Sequence, residues 1–234
     1  VVDVPAANVL LASATAKRSN DDIAVAMTNQ MKWIEQVMEK SGLEAAGPMR
    51  IVTSDFGADS YAFDVVQPVR KKGTGPADEA EGEGEAAEGE AAEGETAAEA
   101  TEAVAEAAPA AVDPAAPLER LDVILEGDNN PVIYAQFPAI RAATTTYMGS
   151  AAGLARVRDL VRAWAMVRGN ETADRPFEDY NVEIKDMLAE DAEYTVYWPL
   201  RTNGENPPAP GQILPVPPAE AAGEAPAAEG EAAP

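Results

Sequence analysis

The sequence repeats one order of elements, and this repetition limits the folds that the chain can adopt. Residues 23–42 follow an amphipathic helical pattern that ends in a glycine, and two short apolar runs come after it. Residues 151–168 begin the same order again, with a helical pattern, a glycine and two apolar runs. Each copy is too small to bury a core of its own, so we expect the two copies to pack together as one domain.

The two helical patterns align when the first is moved along the chain by 127 positions. Apolar residues then coincide, and so do the glycines that end the patterns. The aligned pairs are Met27 with Leu154, Trp33 with Leu160, Ile34 with Val161, Val37 with Trp164, and Gly42 with Gly169. We therefore expect Trp33 and Trp164 to lie on equivalent apolar stripes that face the core.

Short apolar runs around each helix predict β-strands. The runs are residues 8–15, 49–53 and 61–69 in the first copy, and 131–136, 139–147, 177–184 and 193–200 in the second, with 121–125 as a candidate extra strand. Each copy then has the order strand, helix, strand, strand. This order predicts an α+β fold, in which a pseudo-twofold pair of β-α-β-β modules forms an antiparallel sheet with two helices packed on one face.

Two segments are too poor in large apolar side chains to join a core. Residues 71–118 contain tandem GEAAE repeats and no aromatic residue, and residues 204–234 have a similar Ala, Glu, Pro and Gly character. We expect both segments to be disordered, because they bury too little surface to offset the entropy of ordering them. The two modules then occupy residues 1–70 and 119–203 and together form one domain.

The net charge of −24 comes mostly from these segments. Residues 73–118 carry 13 acidic side chains and residues 215–234 carry 4, with no lysine or arginine in either. The other 24 acidic residues face all 17 lysines and arginines, which leaves a net charge of −7. No basic stripe is available to displace counterions from a nucleic acid, so we expect no nucleic-acid partner.

The chain has no cysteine and no histidine. Their absence excludes disulfides, thiolate nucleophiles, Ser-His-Asp triads and most zinc or haem sites. We expect no cofactor and no metal, and no apolar run approaches the ~18 residues of a membrane span. Because the sequence begins with Val1, we expect either that an initiator, a signal or an anchor was removed or that the sequence starts within a longer chain, and the location stays open between cytoplasm and periplasm.

One stretch of the second copy carries a recognisable series of positions. Residues 147–154 read YMGSAAGL, Trp164 and Gly169 follow, and residues 175–180 read RPFEDY. This series resembles the Y-x-G-x-x-x-G-L … W … G … P-x-E-x-Y pattern of the GyrI-like small-molecule-binding family. Residues 194–200 are similar to the closing E-x-Y-x-P-[LV] strand of that family, and residues 42–68 resemble its first module. The resemblance implies the fold shared with AraC-type effector-binding domains, in which two strand-helix-strand-strand modules form one domain.

The chain departs from this family at one position of the closing strand. Members that bind cationic ligands carry a buried glutamate four residues before the proline, and that position is Thr195 here. The equivalent residue of the first copy is Asp64, four residues before Pro68. Two readings stay open: the protein does not recognise a cation, or another carboxylate has taken the acidic role. The candidate carboxylates are Asp64, Glu178, Glu183 and Glu193.

Alternation along the closing strands predicts a binding site on the face away from the helices. The side expected under the helices comprises Phe63, Val65, Tyr194, Val196 and Trp198. On the opposite side, we expect Asp64, Thr195 and Tyr197 to converge on one cleft, joined by Glu178 and Tyr180. A carboxylate beside aromatic rings binds cations and amphipathic heterocycles. The candidate ligand-binding set is completed by Tyr147, Trp164 and Glu193.

Structural roles stay open for the same residues. Asp64 is equally well explained as a solvated residue or as the partner of an arginine. Glu178 is explained by an ion pair with Arg175, and Trp164 by a place in the core or at the edge of a pocket. None of these roles needs a ligand.

The sequence is interpreted as a domain that binds a small lipophilic or amphipathic ligand without intrinsic catalysis. One alternative is a hydrolase of strained electrophiles that uses a carboxylate and a tyrosine, as the resemblance implies for some relatives of this fold. The other is a protein-interaction or inhibitor module, which predicts an exposed apolar patch outside the cleft. Catalysis requires a carboxylate within reach of a substrate.

Overall fold

The computed structural model of the chain describes residues 1–74, 118–127 and 129–213. These residues form two α-helices and ten β-strands. The strands are β1 (Val2–Val4), β2 (Ala7–Lys17), β3 (Leu43–Ala45), β4 (Met49–Phe56), β5 (Ser60–Lys71), β6 (Val132–Phe137), β7 (Ile140–Met148), β8 (Phe177–Tyr180), β9 (Glu193–Pro199) and β10 (Gly211–Gln212). The helices are α1 (Asn20–Ser41) and α2 (Leu154–Val167), with two short 3-10 helices at Ala151–Gly153 and Ile184–Asp186.

Nine of the strands form one antiparallel sheet in the order β1-β7-β9-β8-β4-β5-β2-β6-β10, and β3 pairs separately with β5. Both helices pack on the same face of this sheet, here called the helix face, and share one hydrophobic core with it. Met27 and Ile34 of α1 and Val161 of α2 are buried in that core. The predicted α+β fold, with two helices on one face of an antiparallel sheet, is therefore confirmed.

The two modules are related by a pseudo-twofold axis between β4 and β8. Strands β2, β4 and β5 with α1 form one module, and β7, β8 and β9 with α2 form the other. The modules join where β4 pairs with β8, and in this pairing Ile51 lies directly opposite Glu178. The offset of 127 positions also relates Ile51 to Glu178. Because these residues are both partners and equivalents, they lie on the axis.

Glycines in the left-handed conformation end both helices. Gly42 has a φ of 62° and Gly169 a φ of 78°, a region in which a side chain costs free energy. The amide of Gly42 donates to the carbonyls of Met38 and Glu39, which otherwise lack partners at the end of α1. The aligned glycines of the sequence therefore have the same structural role.

Three predicted elements differ from the structure. Residues 121–125 form no strand, because the amides of Leu121 and Ile124 donate to the Tyr134 and Ser41 hydroxyls instead of to a neighbouring strand. The strand predicted at 177–184 ends at Tyr180, where its pairing with β9 also ends. The helix predicted from residue 151 begins with a 3-10 turn.

The core role predicted for Trp33 and Trp164 is wrong. Their exposed fractions are 41% and 43%, and Leu160 is exposed to 59%. The buried stripe of α2 consists of Leu154, Arg158, Val161 and Ala165, which follow one another at helical spacings of four and three. Because Arg158 and Ala165 occupy buried positions of this stripe, the larger apolar residues Leu160 and Trp164 lie beside the stripe and face outward.

The segments predicted to be disordered fall mostly outside the described residues, which exclude 75–117 and 214–234. The described ends of these segments join the sheet. Strand β5 continues to Lys71, and β10 pairs with β6. Within the described parts of the chain, neither helix is both long and apolar enough to cross a membrane.

Candidate ligand-binding cleft

A cavity of about 240 Å³ opens on the helix face of the sheet. It lies between the first turns of the two helical segments and the connection from β4 to β5. Its lining is mostly apolar and aromatic, with two arginines. The lining includes Arg18, Phe56, Tyr61, Ala155, Arg158 and Tyr180. We call this cavity the helix-face cleft.

A buried ion pair lies at the base of this cleft. The Arg158 guanidinium donates from Nε to Oε1 of Glu178 and from Nη2 to Oε2, the latter at 2.9 Å. Glu178 has no exposed surface, and the Arg158 side chain is 10% exposed. This two-point geometry is the strongest arrangement available to an arginine and a carboxylate. Because Arg158 lines the cleft and Glu178 does not, Arg158 is the member of the pair that a molecule in the cleft contacts.

Two hydroxyl groups extend the polar network from Arg158. Its Nη2 also donates to the Tyr61 hydroxyl at 3.2 Å, and this hydroxyl lies 3.0 Å from Oγ1 of Thr53. Thr53 and Tyr61 belong to the neighbouring strands β4 and β5 of the first module, whereas Arg158 belongs to α2 of the second. The polar base of the cleft therefore ties the two modules together.

Burial controls the ionisation of these groups. It raises the pKa of the Glu178 carboxyl, and the charge and hydrogen bonds of Arg158 oppose part of this rise. Burial also acts to lower the pKa of Arg158, but the Glu178 carboxylate outweighs it and the pKa lies above its ordinary value. The pKa values of Tyr61 and Tyr180 are raised by burial as well. The cleft at neutral pH therefore contains a cationic guanidinium and neutral phenols.

A second arginine lies at the mouth of the cleft. The Cζ atom of Arg18 lies 4.0 Å from the centre of the Phe56 ring, and its Nη1 donates to the carbonyl of Gly57 at 3.2 Å. Phe56 in turn meets Tyr61 edge to face, with ring centres 5.2 Å apart. These contacts hold a cation and two aromatic rings at the entrance.

The structure brings only two of the eight sequence-predicted site residues into this region. Glu178 and Tyr180 alternate along β8 with Phe177 and Asp179, so they point to the helix face. Tyr180 lines the cleft and meets Tyr194 edge to face at 4.9 Å. The sequence predicted that Glu178 pairs with an arginine, Arg175. The structure pairs Glu178 with a different arginine, Arg158.

Tyr147 contacts the residues that lead into α2. Its hydroxyl donates to the carbonyl of Ser150 at 3.1 Å, and its ring stacks on Tyr194 with centres 6.1 Å apart. The ring lies so close to Gly149 and Gly153 that a Cβ atom on either glycine would meet it. Tyr147 does not line the helix-face cleft.

Thr195 and Tyr197 lie on the opposite, open face of the sheet. They line a groove of about 620 Å³ beside the N-terminal residues of the chain. A second ion pair lies there, in which Arg50 donates from Nε to Asp179 at 2.7 Å and from Nη2 at 3.1 Å. Tyr197 stacks on Phe177 with ring centres 4.7 Å apart.

The remaining candidates lie apart from both places. The Arg175 side chain donates to the Asp64 carboxylate, which also accepts from the Ser13 hydroxyl at 2.7 Å on the open face. Glu193 is exposed and accepts from Asn181, and Trp164 lies on the outer side of α2. The prediction that Glu178 and Tyr180 join Asp64, Thr195 and Tyr197 in one cleft is therefore wrong. Glu178 and Tyr180 of β8 point to the helix face, whereas Thr195 and Tyr197 of β9 line the groove on the open face.

Sequence reasoning missed Arg158, Tyr61 and Arg18. A signal for Arg158 exists in the helical spacing, because Arg158 stands four residues after Leu154 and three before Val161. A charged residue on a buried stripe requires a partner. The contact to Tyr61 spans 97 positions between the modules, and no local pattern indicates it.

No protein-family model matches the sequence, and no curated protein matches it either. Among solved structures, the EcmrR C-terminal domain has a TM-score of 0.53 and 12% identity, covering 86% of this chain and 95% of that one. A hydrolase from Listeria innocua has a TM-score of 0.45 and 10% identity, and the match covers 86% of this chain and 90% of the hydrolase. SAV2435 bound to tetraphenylphosphonium has a TM-score of 0.39 and 10% identity, and the match covers 86% of this chain and 92% of SAV2435. At this identity the likeness to the EcmrR domain concerns the fold alone, and it agrees with the fold that the sequence motifs led us to expect.

Proposed function

We propose that the chain binds a small aromatic molecule in the helix-face cleft, without covalent chemistry. The observation that carries this proposal is the Arg158–Glu178 pair, which lies buried at the base of an open cavity lined by Phe56, Tyr61 and Tyr180. Ligand sites combine an apolar, aromatic lining with a few placed polar groups, and groups with shifted pKa values cluster in them. A buried ion pair contributes little to stability against an apolar replacement, which favours a role in recognition.

The size of the cleft limits the ligand. Drug-sized ligands occupy cavities of roughly 300 to 1,000 Å³, and the helix-face cleft has about 240 Å³. A molecule with one or two fused rings fits this space. The open-face groove is larger, but threonines and exposed N-terminal residues form much of its lining.

The hydrolase alternative has less geometric support. Catalysis by a carboxylate requires an oxygen atom that reaches the substrate or its attacking water. Both carboxylate oxygens of Glu178 accept hydrogen bonds from Arg158, and Glu178 has no exposed surface. A substrate in the cleft therefore meets the guanidinium first.

A cavity-filling variant tests the binding site. Ala155 lines the cleft, whereas Ala163 lies on the exposed side of the same helix. In a thermal-shift screen of one- and two-ring aromatic compounds, a ligand at 100 times its Kd stabilises the parent by about 2.7 kcal/mol. We expect Ala155→Trp to abolish these shifts and Ala163→Trp to retain them. Hits that shift both variants equally, or a screen without hits, would contradict the proposal.

A second candidate function is supported by an exposed apolar stripe on α2. Leu160, Trp164 and Val167 are exposed to 59%, 43% and 86% and lie one helical turn apart. Arg156 stands one turn before this stripe, and Arg168 stacks on Trp164 at 5.0 Å. The complementary partner is a protein surface that presents apolar side chains beside carboxylates. Association with such a partner can be measured by size-exclusion chromatography with light scattering, on mixtures of the chain with defined proteins. If the stripe mediates the association, Leu160→Glu should disrupt it.

A further inference from the structure

We infer that Arg158 sets the charge class of the ligand, so that the helix-face cleft accepts neutral or anionic aromatic molecules with a hydrogen-bond acceptor and discriminates against organic cations. This inference rests on the proposed function and deepens it. It assigns a specificity role to Arg158, a residue of the buried stripe of α2.

The first support is the order of the charges from the cavity inward. Arg158 lines the cleft, and Glu178 lies behind it with no exposed surface. Both oxygens of Glu178 are already bonded to the guanidinium. An entering ammonium group therefore meets a positive charge at the base of the cleft, and it cannot reach the carboxylate unless Arg158 leaves.

The second support is the unused hydrogen-bonding capacity of the guanidinium. Nε and Nη2 of Arg158 donate to Glu178 and Tyr61, whereas Nη1 has no partner among the described residues. An arginine has five donors in a fixed planar geometry and no acceptor. A carbonyl or carboxylate oxygen on a ligand is the group that satisfies them.

The third support is the sum of charges around the cavity. Arg18 at the mouth is the other charged group that lines it, and no carboxylate belongs to the lining formed by the described residues. The pairing of Arg158 with Glu178 leaves the positive charge of Arg18 uncompensated within the lining. An anionic or acceptor-bearing ligand complements this arrangement.

The fourth support comes from the other module. The offset that relates the two helices places Met31 at the position equivalent to Arg158, and Ile51 at the position equivalent to Glu178. The first module therefore has apolar residues at both equivalent positions, with Ile51 in the core and Met31 partly buried against it. The charged pair is not a requirement of the fold, which favours a role in the cleft.

Three naphthalene compounds of equal size provide the test: 2-naphthoate, 2-naphthamide and 2-naphthylmethylammonium. Affinities are measured by ligand-observed NMR or calorimetry on the full chain. We expect naphthoate and naphthamide to bind the parent at least about tenfold more tightly than the ammonium compound. One charge-assisted hydrogen bond accounts for an affinity ratio of this size. Ala155→Trp must remove this binding, which places it in the cleft.

Two variants of β8 separate the role of the charge from general effects. Glu178→Gln removes the negative charge behind Arg158 and keeps an oxygen that accepts from it, so naphthoate should bind several-fold more tightly. Asp179→Asn makes the same change one residue later on the open face, and the ratio of naphthoate to ammonium affinity should change by less than about threefold. The double variant Arg158→Met/Glu178→Gln leaves no charge at the base, and naphthoate and ammonium should then bind within about threefold of each other.

The outcomes distinguish this inference from the function on which it rests. If the ammonium compound binds the parent as tightly as naphthoate, and Ala155→Trp abolishes both, the cleft is a ligand site and the role of Arg158 is refuted. If Glu178→Gln and Asp179→Asn have equal effects, the charge order at the base does not select ligands. If none of the compounds binds in a manner sensitive to Ala155→Trp, both proposals fail.

Discussion

The buried pair makes a quantitative prediction about stability. Arg158→Met removes the guanidinium and leaves the Glu178 carboxyl without its partner in a site with no exposed surface. Such a group remains protonated in the folded protein and ionises in the unfolded one, where its pKa has the ordinary value of 4.5. Each pH unit above that value costs about 1.4 kcal/mol, so at pH 7 we expect the free energy of unfolding to fall by about 3.5 kcal/mol. Breaking buried ion pairs costs about 3 to 5 kcal/mol in general.

The loss depends on pH in a defined direction. The folded-state pKa of Glu178 is raised even in the parent, so its contribution to stability is fully present below 4.5 and is lost as the pH rises through the folded pKa. Removal of Arg158 raises that folded pKa further, because the guanidinium charge and its hydrogen bonds lower it in the parent. The variant therefore continues to lose stability at pH values where the parent no longer does. At pH 5 we expect the deficit to fall to about 1 kcal/mol.

The first module provides the matched control for this experiment. Met31 and Ile51 occupy the equivalent positions, so Arg158→Met/Glu178→Ile gives the second module the residue pair that the first module has there. We expect this double variant to unfold within about 1 kcal/mol of the parent, or above it, at both pH values. Urea unfolding followed by circular dichroism measures all three proteins, and equal m-values confirm that they unfold alike. Full stability of Arg158→Met at pH 7, or a loss that is the same at pH 5, would refute the burial of Glu178.

Three further predictions concern the other sequence candidates. Trp164→Ala should cost less than about 2 kcal/mol by urea unfolding, against about 2 to 5 kcal/mol for Leu154→Ala, because Trp164 is 43% exposed and Leu154 is buried; equal losses would contradict the outward position of the tryptophan. Gly153→Ala should cost about 1 to 3 kcal/mol, because the added Cβ meets the Tyr147 ring, and Tyr147→Ala should cancel part of this penalty in a double-mutant cycle. Asp64→Asn should cost below about 1 kcal/mol at low salt, because its partner is 46% exposed, and a loss above 2 kcal/mol would show that the pair is shielded from solvent.

The fold could be predicted from the sequence because its signals are local and occur twice. Helical spacing, the two terminal glycines and strand alternation each act within a few residues. Alternation also assigned Tyr194 and Val196 to the helix side correctly, and both are buried in the core between the helices and the sheet. Strand pairing agrees with Asp64 as the counterpart of Thr195. The residue after Asp64 in β5, Val65, lies opposite Ile51, and the residue after Thr195 in β9, Val196, lies opposite Glu178, the equivalent of Ile51.

The candidate cleft could not be predicted in the same way, because it depends on contacts between the modules. The pairing of β4 with β8 decides that Glu178 faces the helices, and this register follows from the packing of both halves. Arg158 was hidden because a charged side chain interrupts an apolar pattern, so the pattern was assigned to its neighbours Leu160 and Trp164. A rule that searches the buried stripe for a charge and then for its partner would find this pair.

The position of Glu178 on the axis has a consequence for how such a protein can arise. In a homodimer of identical modules, the same residue occupies both sides of the axis, so a glutamate at this position would face a second glutamate. Cross-strand neighbours have Cβ atoms about 5 Å apart, and two carboxylates at that distance repel each other by about 3 kcal/mol at an effective dielectric constant of 20. Joining the modules in one chain removes this constraint, because Ile51 can stay apolar while Glu178 becomes charged. A lone buried carboxylate beside a twofold axis is therefore available to two modules joined in one chain, and a homodimer of identical modules cannot have it.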